Sequence, residues 1–102
     1  LEDPELKGRL VESAVGAHLY AMAVSSQGEL FYWRNKGLEV DFVLKARDRL
    51  LAVEVKSAAN TGSHSGLEMF SSMFSPDKAV IIGGDGIPLD SFLQSTLDSW
   101  GE

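Results

Sequence analysis

Two acidic residues and a lysine form the pattern in this sequence with most chemical potential: Asp41 in Glu39-Val40-Asp41-Phe42, then Glu54 and Lys56 in Val53-Glu54-Val55-Lys56. Side chains of an extended strand alternate between faces, so Glu39, Asp41 and Val43 are expected on one face and Val40, Phe42 and Leu44 on the other. By the same rule Leu50, Ala52, Glu54 and Lys56 share a face. If the loop joining the two strands has an even number of residues, such as Ala46 to Arg49, Lys45 pairs with Leu50 and Asp41 falls opposite Glu54. Directly opposed residues have Cβ atoms about 4.5–5.5 Å apart.

Carboxylates that close repel, unless a proton, a cation or a basic group lies between them. A hard divalent ion, Mg²⁺ or Mn²⁺, suits Asp41 and Glu54, because Mg²⁺ takes one or two protein carboxylates and keeps several waters. Lys56 would then orient a water for attack or stabilise charge developing on a phosphate. These are the parts of hydrolytic phosphodiester cleavage. The competing reading is a hairpin with a solvated charged face, on which Glu54 and Lys56 make weak surface pairs. Two features argue against it. Leu50 to Val55 is apolar on both faces except at Glu54, as in a central strand, and Glu12 sits at the edge of an apolar helical stripe with Val15, Gly16 and Leu19.

The elements that must position these residues are legible in the spacing. Asp3-Pro4 reads as an N-cap and first helical position, and Leu6, Leu10, Val11, Ala14, Val15, His18, Leu19 and Met22 recur at helical intervals, predicting a helix over 4–24. Gly16 within it suggests close packing on a sheet, and Gly28 is the expected left-handed stop. Strands are expected at Glu29 to Arg34, Glu39 to Lys45 and Leu50 to Lys56, joined by turns too short for helices and therefore antiparallel. Ser65-Gly66-Leu67-Glu68 reads as a capping box opening a short helix that ends before Pro76. Lys78 to Gly83 is a continuous apolar run of the kind covered on both faces, expected to pair parallel. A final helix is expected from Asp90, as N-cap, to about Trp100. The fold class is thus α/β, in the order α-β-β-β-α-β-α around a central mixed sheet.

The segments Gly8-Arg9-Leu10-Val11-Glu12, Phe31 to Leu44 and Leu50 to Lys56 resemble the C-terminal domain, of DUF4143 type, of a prokaryotic AAA+ ATPase family. That domain is similar to the restriction-endonuclease-like, or PD-(D/E)XK, nucleases. The resemblance runs from about Gly8 to Leu93 and implies Glu12 as the helix acid, Asp41 as the strand acid, and Glu54 and Lys56 as the acid-x-lysine pair. Val40 stands where the family pattern has proline. It also implies that 1–102 is a single nuclease-like domain of a longer ATPase chain, an expectation matched by the absence of an initiator methionine.

Composition bounds the partners. Nine basic and 15 acidic residues give a formal charge of −6, which opposes long-range attraction to a phosphate backbone. That favours the alternative of a non-catalytic module that docks on its ATPase domain or another protein; a homo-oligomer is left open. The sequence has no cysteine and only His18 and His64, which argues against zinc. No apolar run reaches the roughly 20 residues of a membrane helix, so the expected setting is the cytoplasm. Gly83-Gly84-Asp85-Gly86 lacks the lysine of a phosphate loop and reads as a turn, so no nucleotide site is expected. Ser63-His64-Ser65 makes no triad, and His18 reads as a packed core histidine. Trp33 reads mainly as core, whereas Arg34 and Lys36 are the first basic residues expected to touch substrate.

Overall fold

The computed structural model describes residues 3–56 and 65–100. Its elements are α1 (Pro4–Ser26), β1 (Glu29–Asn35), β2 (Leu38–Ala46), β3 (Arg49–Val55), α2 (Ser65–Phe74), β4 (Lys78–Ile82), α3 (Leu89–Leu93) and α4 (Leu97–Trp100). The sheet order is β1-β2-β3-β4, with β1, β2 and β3 antiparallel in sequence and β4 parallel to β3. The sheet is therefore mixed, with Glu54 on an inner strand.

Helix α1 starts where Asp3 caps it: its Oδ1 accepts the Leu6 N–H at 3.3 Å, satisfying one of the donors a helix N-terminus leaves free. At the other end Gln27, and not Gly28, takes the left-handed conformation, with φ 58°. The Gly28 N–H closes the helix onto the Ala23 carbonyl at 2.8 Å, a Schellman arrangement. Gly28 is required for another reason: a Cβ there would lie 2.5 Å from the Lys45 carbonyl oxygen.

Both hairpins close on two-residue loops. Lys36 and Gly37 have φ of 52° and 84°, and Arg47 and Asp48 have φ of 53° and 62°, the paired positive values of turns whose twist matches that of the strands. The second loop makes the even connection on which the site depends. Lys45 pairs with Leu50 and Phe42 with Val53.

One core layer lies between α1 and the sheet, where Val15, Leu19 and Met22 meet Leu44, Leu51, Val53, Val55 and Ile82, with Phe92 of α3 completing it. The other face packs Val40, Val43 and Ala52 against Leu67 and Phe70 of α2. Val40 and Val43 share a face although they are three residues apart, contrary to simple alternation. The cause is a bulge in β2: Phe31 pairs with Val43 and Trp33 with Val40, so Asp41 and Phe42 together oppose Tyr32. One extra residue flips the side-chain parity and re-aims what lies there.

The C-terminal end also differs from expectation. The single helix from Asp90 is two helices: α3 begins at Leu89 with Pro88 as its N-cap, and the chain breaks after Leu93. The Ser95 N–H and hydroxyl both donate to the Phe92 carbonyl, and Thr96 starts α4 by exchanging hydrogen bonds with Ser99, a reciprocal cap. Strand β4 is parallel as expected, but it is a sheet edge with only Ile82 buried. Among the described residues, no helix is long and apolar enough to cross a membrane.

Candidate functional site

Asp41 stands at the bulge, half-buried. Backbone pairing of β2 with β3 runs from Ala46↔Arg49 to Phe42↔Val53; beyond it the Asp41 Oδ2 accepts the Val55 N–H at 2.7 Å. The carboxylate thus continues a connection between strands that the ladder drops at the bulge. Glu54 lies beside it on the central strand and is 7% exposed, the one charged residue among those described that is buried.

Burial pushes the Glu54 carboxyl up to about 7, with the Asp41 charge and a hydrogen bond to Asp41 acting in the same direction; Lys56 pulls the other way. The pair therefore keeps a proton to higher pH than a free carboxyl would, and that proton bridges two carboxyl groups which could not both be charged at low cost. Lys56 is half-buried, donates its N–H to the Ile82 carbonyl at 2.8 Å, and shares a small concavity with Asp85. Its charge reaches Glu54 from there. Gly83 allows this approach, since a Cβ on it would lie 2.3 Å from the Lys56 carbonyl oxygen.

Glu12 reaches the cluster from α1. It is exposed, yet the cleft against β2 removes part of its solvent, and this desolvation, followed by the Asp41 and Glu39 charges, raises its carboxyl above the ordinary range. Gly16, one turn further on, brings the helix this close: a Cβ there would stand 3.0 Å from the Phe42 ring. An open cleft of about 440 Å³ is lined by Glu12, Glu39, Asp41, Phe42, Tyr32 and Arg34, among others. Three carboxylates and one guanidinium thus line this space.

Asp41 links the four expected site residues: its charge acts on both Glu12 and Glu54, and Lys56 acts on Glu54. The cleft, however, is lined by Glu12 and Asp41 without Glu54 or Lys56, and Lys56 lines the concavity with Asp85. Glu39 is an addition. The alternation of β2 puts it on the Asp41 face without a role, although a second acid two residues before Asp41 is signal enough to suspect one. It adds to the charge felt by both Glu12 and Glu54, and Arg34 donates to its Oε1. Arg34 thus lines the cleft, held by an acid, whereas Lys36 sits at the exposed tip of the first turn and is not among the cleft's lining residues.

The remaining candidates resolve as structure. His18 Nε2 lies 2.8 Å from the Ser95 carbonyl, with its ring edge-on to Phe92 at 5.1 Å. Trp33 packs edge-on to Phe70 at 5.4 Å, on the α2 face. Gly83 and Gly84 form the strand-ending turn, both with positive φ. Ser63 and His64 lie outside the described residues. Among the described residues no group of three or more His, Cys, Asp or Glu side chains is placed to hold a metal ion. The chemistry of the Asp41–Glu54 pair still suits a hard divalent cation, which needs few protein ligands and replaces a shared proton.

A family model described as a domain of unknown function (DUF4143) matches residues 7–91. The chain belongs to that family. No curated protein and no solved structure matches it.

Proposed function

We propose that this DUF4143 chain has a restriction-endonuclease-like core and acts as a metal-dependent phosphodiesterase on nucleic acid. The observation that carries the reading is the buried Glu54 held against Asp41, with Lys56 in electrostatic range. Asp41 has a structural partner in the Val55 N–H, but the fold does not need a second carboxyl group buried beside it. Burying a charge without full compensation costs stability, and titratable groups shifted this far cluster at sites of function.

In this reading Asp41 and Glu54 hold Mg²⁺ or Mn²⁺, and the bound ion supplies charge neutralisation and an acidified water. The chain's own groups do the rest. The Val55 N–H fixes the Asp41 carboxylate at a strand junction, so its position costs no reorganisation. Lys56 brings positive charge to where a phosphate would gain negative charge. Glu12 accepts hydrogen bonds from water in the cleft, and Arg34 is available to a backbone phosphate once Glu39 releases it. The cytoplasm and attachment to an AAA+ ATPase domain complete the proposal.

A second reading, a nuclease-shaped module that docks on an ATPase domain or a protein partner without cleavage, is favoured by the charge of −6 and by the lack of a third converging metal ligand among the described residues. Incubating the purified chain with plasmid DNA and single-stranded RNA in Mg²⁺ or Mn²⁺ separates the two. The expected result is divalent-dependent nicking that Asp41→Asn, Glu54→Gln and Lys56→Met each reduce at least about a hundredfold, the scale on which one preorganised electrostatic group contributes. Equal activity in all three variants, or none in the native chain, sinks the nuclease and leaves the docking module.

A further inference from the structure

Helix α1 carries a second apolar stripe on the side away from the sheet. Leu6, Leu10, Ser13, Ala17, Tyr20 and Val24 are all exposed, with Tyr20 at 64% and Val24 at 61%. Their intervals of four, three, four, three and four residues are the 3.5-residue repeat of a helix-pairing seam. The stripe buried against the sheet, Val15, Leu19 and Met22, lies on the opposite side of the helix. From Ser13 to Gly28 the sequence has no Asp, Glu, Lys or Arg, in a chain where 24% of residues are charged. A helix apolar on two sides is a helix with a second neighbour.

We propose that this seam pairs α1 with α1 of a second copy of the chain, antiparallel about a twofold axis. The residue sizes read the same in both directions: small residues, Ser13 and Ala17, occupy the middle, and large ones, Leu6 and Leu10, Tyr20 and Val24, occupy the ends. Antiparallel pairing sets Leu10 against Tyr20, Leu6 against Val24 and Ser13 against Ala17, each large residue against another and the small centre letting the backbones approach. A twofold interface needs such self-complementarity. Electrostatics choose the direction. The two helix dipoles then run in opposite directions, each N-terminus beside a C-terminus; Lys7 reaches a last turn with no basic side chain, and Asp3 and Glu5 lie at the same end. Parallel pairing would place like helix ends and like lysines together.

The area sets the strength. From Leu6 to Val24 the seam is about 27 Å long and about one helix diameter, 10 Å, wide, roughly 270 Å² and about a third of the roughly 800 Å² per partner of a standard interface. Association is therefore concentration-dependent.

Sedimentation equilibrium of the 102-residue chain over a wide concentration range tests this. A monomer–dimer equilibrium is expected, weakened at least about tenfold by Ala17→Glu, which buries two unpaired carboxylates at the centre, with the circular dichroism of the variant unchanged. A monomer at every concentration, or an equilibrium that Ala17→Glu does not alter, overturns the proposal. Direction is read by disulfide formation, clean because the chain has no cysteine. Leu10→Cys chains mixed with Tyr20→Cys chains should cross-link and Tyr20→Cys alone should not; cross-linking of Tyr20→Cys alone contradicts the antiparallel arrangement.

Discussion

Glu54 is the buried charged side chain among the described residues, and its titration has a consequence for stability. Its carboxyl is raised from an ordinary 4.5 to about 7, so between these values the folded chain binds more protons than the unfolded chain, and stability falls as pH rises. The stabilisation is complete below about pH 4.5 and gone above about pH 7. The size of the decline, up to about 3 kcal/mol, follows from 1.36 kcal/mol per pH unit. Glu54→Gln keeps the size and a hydrogen-bond donor but cannot ionise. Thermal unfolding should show it more stable than the native chain at pH 8, with a flatter profile between pH 5 and 8. At Asp41 the chemistry of the acceptor matters differently. Asp41→Ala removes a hydrogen bond from the Val55 N–H to a charged group, worth about 2 kcal/mol, whereas Asp41→Asn retains an acceptor oxygen. Urea denaturation should therefore find the native chain most stable, Asp41→Asn next and Asp41→Ala least; equal loss in both variants would deny the carboxylate its place in the strand junction.

At the scale of elements, two loops and a bulge decide where the acids meet. The even loop was a condition readable from the sequence, and Arg47-Asp48 fulfils it. Asp48 nonetheless holds φ 62° where glycine is preferred, so Asp48→Gly should stabilise the hairpin by up to about 1 kcal/mol, raising the melting temperature. Gly66 gives the opposite sign. Helix propensity alone favours alanine over glycine by about 1 kcal/mol, but a Cβ there would sit 2.0 Å from the Glu39 carbonyl oxygen. Backbone cannot yield as a side chain does, so Gly66→Ala should destabilise by about 1–3 kcal/mol, measurable by denaturation. The same contact explains why the bulge was hidden. Local propensities around Asp41 are those of a regular strand, and only the fit of Val40 and Val43 under α2, with Gly66 against Glu39, selects the extra residue. The break after Leu93 was more legible, since Thr96 and Ser99 have cap spacing.

Across the whole molecule, the sequence was most informative where one pattern admits one structure: the long helix, the meander, and the meeting of Asp41 with Glu54. It was least informative where burial depends on distant chain. Val80 and Ile81 read as fully covered, yet β4 is an edge and both are half-buried, because nothing in a local apolar run reports how many neighbours the sheet will supply. Net charge acts at this scale too. A formal charge of −6 opposes long-range attraction to a phosphate backbone, and in the proposed reading a cation bound beside the acids offsets that repulsion locally. The metal is therefore expected to govern affinity as well as chemistry, and duplex DNA binding, followed by fluorescence anisotropy, should require divalent ions.

In the proposed site, Asp41 and Glu54 share a proton that a divalent cation replaces. Calorimetric titration of Mn²⁺ into the native chain near pH 7, repeated in buffers of different ionisation enthalpy, measures this exchange directly. Binding at millimolar concentration with release of a fraction of a proton, lost in Asp41→Asn and Glu54→Gln, is the predicted result; no binding, or binding without proton release that both variants retain, would contradict it.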